Sequence, residues 1–263
     1  MPPQIPAAIA DALTLADPSW RPVLLQGLHA VAQADPAYLP ALAAEEYLPT
    51  DGRLFAAFAQ PIDAVNYVLV GEGPYPRAQS ATGVCFMDGA VGLLWSEAGL
   101  SKQVNRATSL RNFMKMLLVA DGQLALDHTS GDALALVALK ARAIGSPAIQ
   151  TLADLQANLT RHGFLLLNAA LAFRPHVAPV KEARAWQPFL QTVLAALVES
   201  AGRHDKPAPT LVLWGKIAEQ LQSLPATAQF PQARGEHPYN LSFIANPAMR
   251  ALFGPMRLLQ KAA

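Results

Sequence analysis

Short apolar runs alternate with stretches of helical periodicity along this chain. The apolar runs at 67–70, 164–167 and 211–214 are continuous, which is typical of strands buried in a parallel sheet, and they predict strands at 66–70, 164–167 and 210–214. Elsewhere apolar residues recur every three to four positions, and this spacing predicts helices. The predicted helices cover residues 9–15, 23–32, 38–47, 54–58, 109–119, 133–143, 152–162, 186–200 and 252–260. The alternation predicts an α/β fold, with a central four-stranded parallel sheet flanked by helices on both faces and 228–230 as its fourth strand.

Length and composition favour one soluble domain. The 263 residues contain no internal repeat or linker, so we predict a single domain over 1–263, with 1–52 as an N-terminal helical extension packed on it. No apolar run reaches the roughly 18 residues of a membrane span. The first basic residue is Arg21, so a secretory signal is not expected, and we predict a cytoplasmic monomer. The single cysteine, Cys85, excludes an intrachain disulfide and a cysteine-ligated cluster, and no metal or cofactor is expected.

Charge is distributed unevenly along the chain. Residues 1–150 hold 9 Lys/Arg against 13 Asp/Glu, a balance of −4, whereas residues 151–263 hold 11 against 6, a balance of +5. A basic C-terminal half is compatible with phosphate contacts. Solvated helix faces explain the same bias equally well, so charge alone does not indicate nucleic acid.

A Gly/Pro-rich segment at 71–77 follows the first predicted strand. Loops at the carboxyl ends of parallel strands carry the ligand sites of open α/β sheets. An aromatic residue, Phe86, lies shortly after this segment, Asn168 ends the next strand, and His237 begins a later loop. These residues, in this order, resemble the family-1 uracil-DNA glycosylases. The similarity runs through 71–76, 82–86, 109–110, 165–168 and 237–242, and it covers roughly residues 54–260.

The resemblance implies a pocket for a uracil flipped out of the DNA stack. Phe86 would stack on the ring, and the Asn168 amide would donate to one carbonyl and accept from a ring N–H. Tyr75 matches the residue that excludes the 5-methyl group of thymine. Alternatively, Phe86 is an ordinary core residue, Asn168 is a helix N-cap or turn former at the end of the strand, and Tyr75 packs against the turn. The implied substrate-binding residues are Gly71, Gly73, Tyr75, Phe86 and Asn168.

The same resemblance assigns roles to a later loop. His237 would stabilise the negative charge that develops on the leaving base, and Leu241 would fill the space that the base vacates. Ser109 and Ser242 would contact DNA phosphates. An exposed surface histidine and helix-capping serines are the alternatives for these positions.

Four departures from the family pattern fall in functional loops. Gly73 stands where the family has its catalytic Asp, and Pro76 replaces the His that ends the motif. Tyr239 and Asn240 replace Ser-Pro, and 106–108 lacks the usual prolines. Glu72 is therefore a candidate substitute acid/base, with a solvated surface carboxylate as its alternative.

The sequence supports two hypotheses from different classes. In the first, the protein is a hydrolase that excises uracil from single- or double-stranded DNA, with reduced or altered activity, using His237 and Glu72 as catalytic residues. In the second, it is a silent pseudo-glycosylase that binds DNA or a partner protein on the same scaffold. An enzyme for another damaged base is a third, weaker option.

Overall fold

The computed structural model of the chain describes residues 5–222 and 224–262. Within this part of the chain the helices are α1 (Ala7–Asp11), α2 (Arg21–Ala34), α3 (Tyr38–Ala43), α4 (Lys102–Arg106), α5 (Thr108–Ala120), α6 (Asp132–Arg142), α7 (Leu152–Arg161), α8 (Pro179–Arg203), α9 (Ile217–Gln222) and α10 (Pro247–Phe253). The strands are β1 (Tyr67–Gly71), β2 (Trp95–Ser96), β3 (Gly99–Leu100), β4 (Phe164–Asn168), β5 (Thr210–Trp214) and β6 (Gln232–Gly235).

Four strands form one sheet in the order β4-β1-β5-β6. β1 runs parallel to both β4 and β5. Their inner residues are buried, as the continuous apolar runs predict. The predicted α/β class, with a four-stranded parallel sheet and helices around it, is confirmed.

By its internal contacts the chain divides into two compact units. The first unit comprises Met1–Gly89, Gly163–Val212 and Glu219–Gln232, and the second comprises Ala90–His162, Leu213–Ala218 and Ala233–Ala263. In the first unit α2 packs along α8, where Gly27 lets the Phe189 ring approach the α2 backbone. The N-terminal helices therefore share a core with the long helix α8. The prediction of a single domain stays a prediction.

An aromatic cluster organises the second unit. The Phe113 ring of α5 lies 5.1 Å from that of Phe253 and 5.7 Å from that of Trp214. The β2–β3 hairpin, which the sequence pattern did not predict, packs against α6 in the same unit. Helix α5 thereby contributes its apolar side to a core, and it also contacts the loop described below.

Two sequence predictions are wrong. Residues 228–230 are not the fourth strand, because Pro225 opens a 3₁₀ turn (Pro225–Gln229) and the Thr227 hydroxyl donates to the preceding carbonyls of Leu221 and Leu224. The strand begins later, at β6. The predicted helix over 252–260 also fails: α10 ends at Phe253, a 3₁₀ turn follows, and Arg257 takes a left-handed φ of 50°.

Within residues 5–222 and 224–262, no helix is long and apolar enough to cross a membrane. Across the same residues there is no cluster of three His, Cys, Asp or Glu side chains arranged to hold a metal ion.

Candidate active site

The carboxyl ends of β1 and β4 lie side by side in the first unit. The strand register pairs Gly71 with Asn168, and the pairing continues past the strands, since the Ala169 N–H donates to the Gly71 carbonyl at 2.8 Å. A Cβ atom at position 71 would lie 3.1 Å from Oδ1 of Asn168 and 2.5 Å from Sγ of Cys85. Glycine at 71 therefore leaves room for these two side chains at the strand edge.

The segment after the Gly/Pro-rich loop holds Phe86 in an unusual conformation. The Cys85 N–H donates to the Leu166 carbonyl at 3.0 Å, which fixes the segment beside β4. The Thr82 hydroxyl contacts the Met87 carbonyl at 2.9 Å and closes the turn. Phe86 has φ of 69°, a left-handed conformation that is rare for a bulky residue. Such backbone strain costs about 1–3 kcal/mol and is found preferentially at functional sites.

Cys85 and Tyr75 present neutral groups near this strand edge. Burial raises the pKa of the Cys85 thiol to about 12, so the sulfur is protonated at neutral pH and acts as an apolar surface. Burial also raises the pKa of the Tyr75 phenol above its ordinary value, and the side chains of Cys85 and Asp88 act in the same direction. Neither side chain is a nucleophile at neutral pH.

Position 73 has space for a side chain. A Cβ atom on Gly73 would lie 3.6 Å from Cβ of Ala170, an ordinary van der Waals distance, and the residue does not have a left-handed φ. Glu72 beside it is exposed. Neither steric crowding nor the backbone conformation therefore requires glycine at position 73.

His237 lies in the second unit, on the loop after β6. Its side chain is exposed, and its Nδ1 accepts a hydrogen bond from the Tyr239 N–H at 3.1 Å. A neutral ring with Nδ1 as acceptor carries its proton on Nε2. Gly215, with φ of 61°, lies directly under the histidine: a Cβ atom there would come within 2.9 Å of Cβ of His237. The imidazole therefore presents a single N–H donor through Nε2.

A buried amide supports this loop from α5. The side-chain Nδ2 of Asn112 donates to the carbonyls of Pro238, Tyr239 and Asn240 at 2.7, 3.2 and 3.3 Å. Asn112 was not among the residues predicted from the sequence. The sequence feature that could have indicated it is Met116, an apolar residue four positions later on the same side of α5, because both residues are buried there.

The remaining predicted residues of the second unit lie on the same loop or on α5. Leu241 and Tyr239 are exposed, with 68% and 67% of their surfaces accessible. The Ser242 hydroxyl donates to the Glu236 carboxylate at 2.5 Å. Ser109 is half-buried in the first turn of α5, whose N-cap residue makes no side-chain capping bond.

The predicted residues are divided between the two units. One group, in the first unit, contains Gly71, Glu72, Gly73, Tyr75, Phe86 and Asn168. The other, in the second unit, contains Ser109, His237, Leu241 and Ser242.

Solved structures place this chain among known proteins, although it matches no protein-family model. It is similar to the crystal structure of the wild-type UNG from Nitratifractor salsuginis, with a TM-score of 0.86 and 40% identity over 97% of both chains. The chain belongs to the uracil-DNA glycosylase family. Members of this family are hydrolases of N-glycosyl bonds and act in base-excision repair.

More distant glycosylases agree with this assignment. The chain is 29% identical to a uracil-DNA glycosylase of Corynebacterium glutamicum over 93% of its own length and 85% of that protein. It is 26% identical to one from Nocardioides over 81% of its length and 71% of that protein. The mimivirus uracil-DNA glycosylase, 16% identical with a TM-score of 0.51, shares the fold.

Proposed function

We propose that this glycosylase flips uracil out of DNA and hydrolyses its N-glycosidic bond, slowly because Gly73 supplies no carboxylate. The observation that carries the proposal is the pairing of Gly71 with Asn168 at the carboxyl edge of the sheet. That pairing supports a role for the buried Asn168 amide as the group that reads the base, beside a loop that holds Phe86 in a strained conformation.

Base recognition follows from the hydrogen-bonding capacity of an amide. Asn168 is 6% exposed, and its side chain offers one acceptor and two donor hydrogens, the complement of uracil N3–H and O4. Cytosine would leave buried polar atoms unpaired, at about 1–3 kcal/mol for each. Stacking on the Phe86 ring would add about 1–3 kcal/mol for any flipped base, so it gives affinity and not selectivity. Tyr75 is assigned to the exclusion of the thymine methyl group.

Cleavage of the bond leaves negative charge on the departing base. We assign His237 as the hydrogen-bond donor to uracil O2, because its Nδ1 is occupied by the Tyr239 N–H and its Nε2 carries the proton. Removing a donor of this kind typically lowers rates by about 10²–10³-fold.

The missing carboxylate need not abolish catalysis. General-base assistance is worth about 10²–10⁴-fold, or about 2.7–5.4 kcal/mol, against a total barrier reduction of about 8–23 kcal/mol in enzymes. The remaining pocket therefore supports slow turnover. Glu72, which is exposed beside Gly73, is the proposed substitute acid/base.

Contacts to DNA are assigned to the second unit. Leu241 is the proposed wedge, and the first turn of α5 with Ser109 is the proposed phosphate contact, since helix N-termini attract anions. Ser242 is the second proposed phosphate contact, reached once its hydroxyl leaves Glu236. We expect the protein to act as a cytoplasmic monomer on single- or double-stranded DNA.

One observation favours a second function, a catalytically silent binding protein. The Glu236 carboxylate occupies the Ser242 hydroxyl and places negative charge where a phosphate would approach, and Gly73 adds no general base. Both features weaken catalysis and leave the scaffold intact.

One assay separates these functions. Excess protein is incubated with oligonucleotides that contain uracil, hypoxanthine or a mismatch, alkali cleaves any abasic site, and a gel resolves the products. The proposal predicts slow cleavage at uracil alone and a loss of about 5- to 150-fold in Asn168→Asp, the rate equivalent of one unpaired buried group. Binding to uracil or abasic DNA without cleavage supports the silent protein. Cleavage at hypoxanthine in preference to uracil supports an enzyme for another damaged base.

A further inference from the structure

Asn112 is a polar side chain in a fully buried position. It has 0% exposure in the middle of α5, yet it lies 126 to 128 residues from its hydrogen-bond partners along the chain. Its Oδ1 accepts from Nε of Arg111 at 3.2 Å, which orients the amide so that Nδ2 faces the loop. A buried polar group is retained at a cost in desolvation that only its hydrogen bonds offset.

The three carbonyls that Asn112 binds belong to consecutive residues, Pro238, Tyr239 and Asn240. Tyr239 is therefore held from both sides: its carbonyl accepts from Asn112, and its N–H donates to Nδ1 of His237. Movement of the Tyr239 backbone would carry this N–H away from the imidazole and remove the hydrogen bond that orients Nδ1.

We propose that Asn112 is a positioning residue that holds the His237 imidazole in its working orientation through the backbone of Tyr239. This inference rests on the proposed function, because it assigns Asn112 a part in the reaction that His237 serves. Asn112 touches neither base nor sugar in this assignment and acts only through the loop.

Asn158 provides a matched control in the same unit. It is 4% exposed, and its Nδ2 donates to the carbonyls of Leu258 and Gln260, both at 2.7 Å. It is thus also a buried helical asparagine that binds a chain segment by its carbonyls, but this segment does not contain His237.

The first experiment compares Asn112→Asp with Asn158→Asp. A carboxylate cannot donate and repels the carbonyls, so both variants lose their bonds and some thermal stability. For Asn112→Asp we expect kcat for uracil excision to fall about 10- to 100-fold with KM nearly unchanged, because small misplacements of a catalytic group are this costly. Asn158→Asp, with rates corrected for the folded fraction, keeps the wild-type kcat. Equal losses in the two variants would overturn the proposal. Asn112→Ala removes the donors without adding charge and is expected to act in the same direction.

A double-mutant cycle tests the route of the effect. If Asn112 acts through His237, Asn112→Asp has little further effect on the excision rate once His237→Ala is present, since coupled residues are non-additive. A full and additive loss in that background would contradict the assigned route.

Hydrogen exchange measures the same contact without catalysis. Amide exchange over 237–242 is expected to be faster in Asn112→Asp than in the wild-type protein and unchanged in Asn158→Asp. If the wild-type protein excises no uracil, the proposed function fails, and this exchange still decides whether Asn112 holds the loop. Unchanged exchange over 237–242 in Asn112→Asp overturns the inference.

Discussion

The Tyr239 N–H donates to Nδ1 of His237 at 3.1 Å, a bond between residues only two apart in sequence. The ring must be neutral to accept at Nδ1, and its remaining N–H is then on Nε2. A neutral donor suits a leaving base that gains negative charge, because it strengthens its bond as the charge grows. The loop therefore selects one tautomer of this histidine.

Replacing His237 tests that assignment. His237→Ala is expected to lower the excision rate by about 10²–10³-fold with little change in thermal stability, because the side chain is exposed. The measurement is single-turnover uracil release from an oligonucleotide. His128→Ala removes another exposed histidine of the same unit and serves as the control, with no change in rate expected.

Glu72 is tested by removing its charge. If Glu72 is the substitute acid/base, Glu72→Gln lowers the excision rate by about 10²–10⁴-fold. Glu97→Gln changes an exposed glutamate with 92% of its side chain accessible and is expected to have no effect. Undiminished excision by Glu72→Gln removes this residue from the mechanism.

The wedge role of the exposed Leu241 can be tested against a control leucine of similar exposure. Leu241→Ala deletes the proposed wedge and is expected to slow excision from duplex DNA by about 10-fold or more, since burying a leucine side chain contributes about 1.5–3 kcal/mol. Single-stranded DNA needs less wedging and is expected to show a smaller loss. Leu139, 65% exposed on α6, gives the control Leu139→Ala, for which unchanged rates on both substrates are expected. Equal losses on the two substrates would argue against a wedge.

The buried thiol predicts a stability loss at alkaline pH. The pKa of Cys85 rises from 9.0 to about 12 on folding, so the unfolded chain releases this proton first. Its contribution is fully present below pH 9 and is lost as the pH rises toward 12. Denaturant unfolding across this range is expected to show a falling free energy of unfolding. Cys85→Ala is expected to show a shallower fall, the remainder coming from tyrosines such as Tyr75. An identical slope in both proteins would contradict the buried-thiol assignment.

The sheet was predictable because buried parallel strands are continuous apolar runs. β4 and β5 begin and end within one residue of their predicted limits, and β1 does so as well. The chain after residue 224 was less predictable, since Pro225 and Pro255 introduce 3₁₀ turns where local periodicity suggested a strand and a continuous helix. Local propensity was overridden there by turn chemistry.

The sequence indicated candidate residues for the site but not the contacts that hold them in place. Phe86 and Asn168 were inferred as candidates from their positions along the chain. The left-handed φ of Phe86 could not be predicted, because among sequence signals only glycine commonly indicates that conformation. Asn112 was missed because the apolar stripe of α5 places it on the opposite, nominally polar side. The loop after β6 covers that side, and a contact across more than a hundred residues is invisible to helical periodicity.

The central claim is that the protein excises uracil and does so slowly because Gly73 supplies no carboxylate. Gly73→Asp tests it most directly, because the position has space and no left-handed backbone. Gly92→Asp, at another open glycine, controls for the added charge. We expect measurable uracil release by the wild-type protein. In Gly73→Asp the excision rate is expected to rise, by up to the factor of about 10²–10⁴ that a general base contributes, whereas Gly92→Asp is expected to leave the rate unchanged. No uracil release by either the wild-type protein or Gly73→Asp at high protein concentration would contradict the central claim.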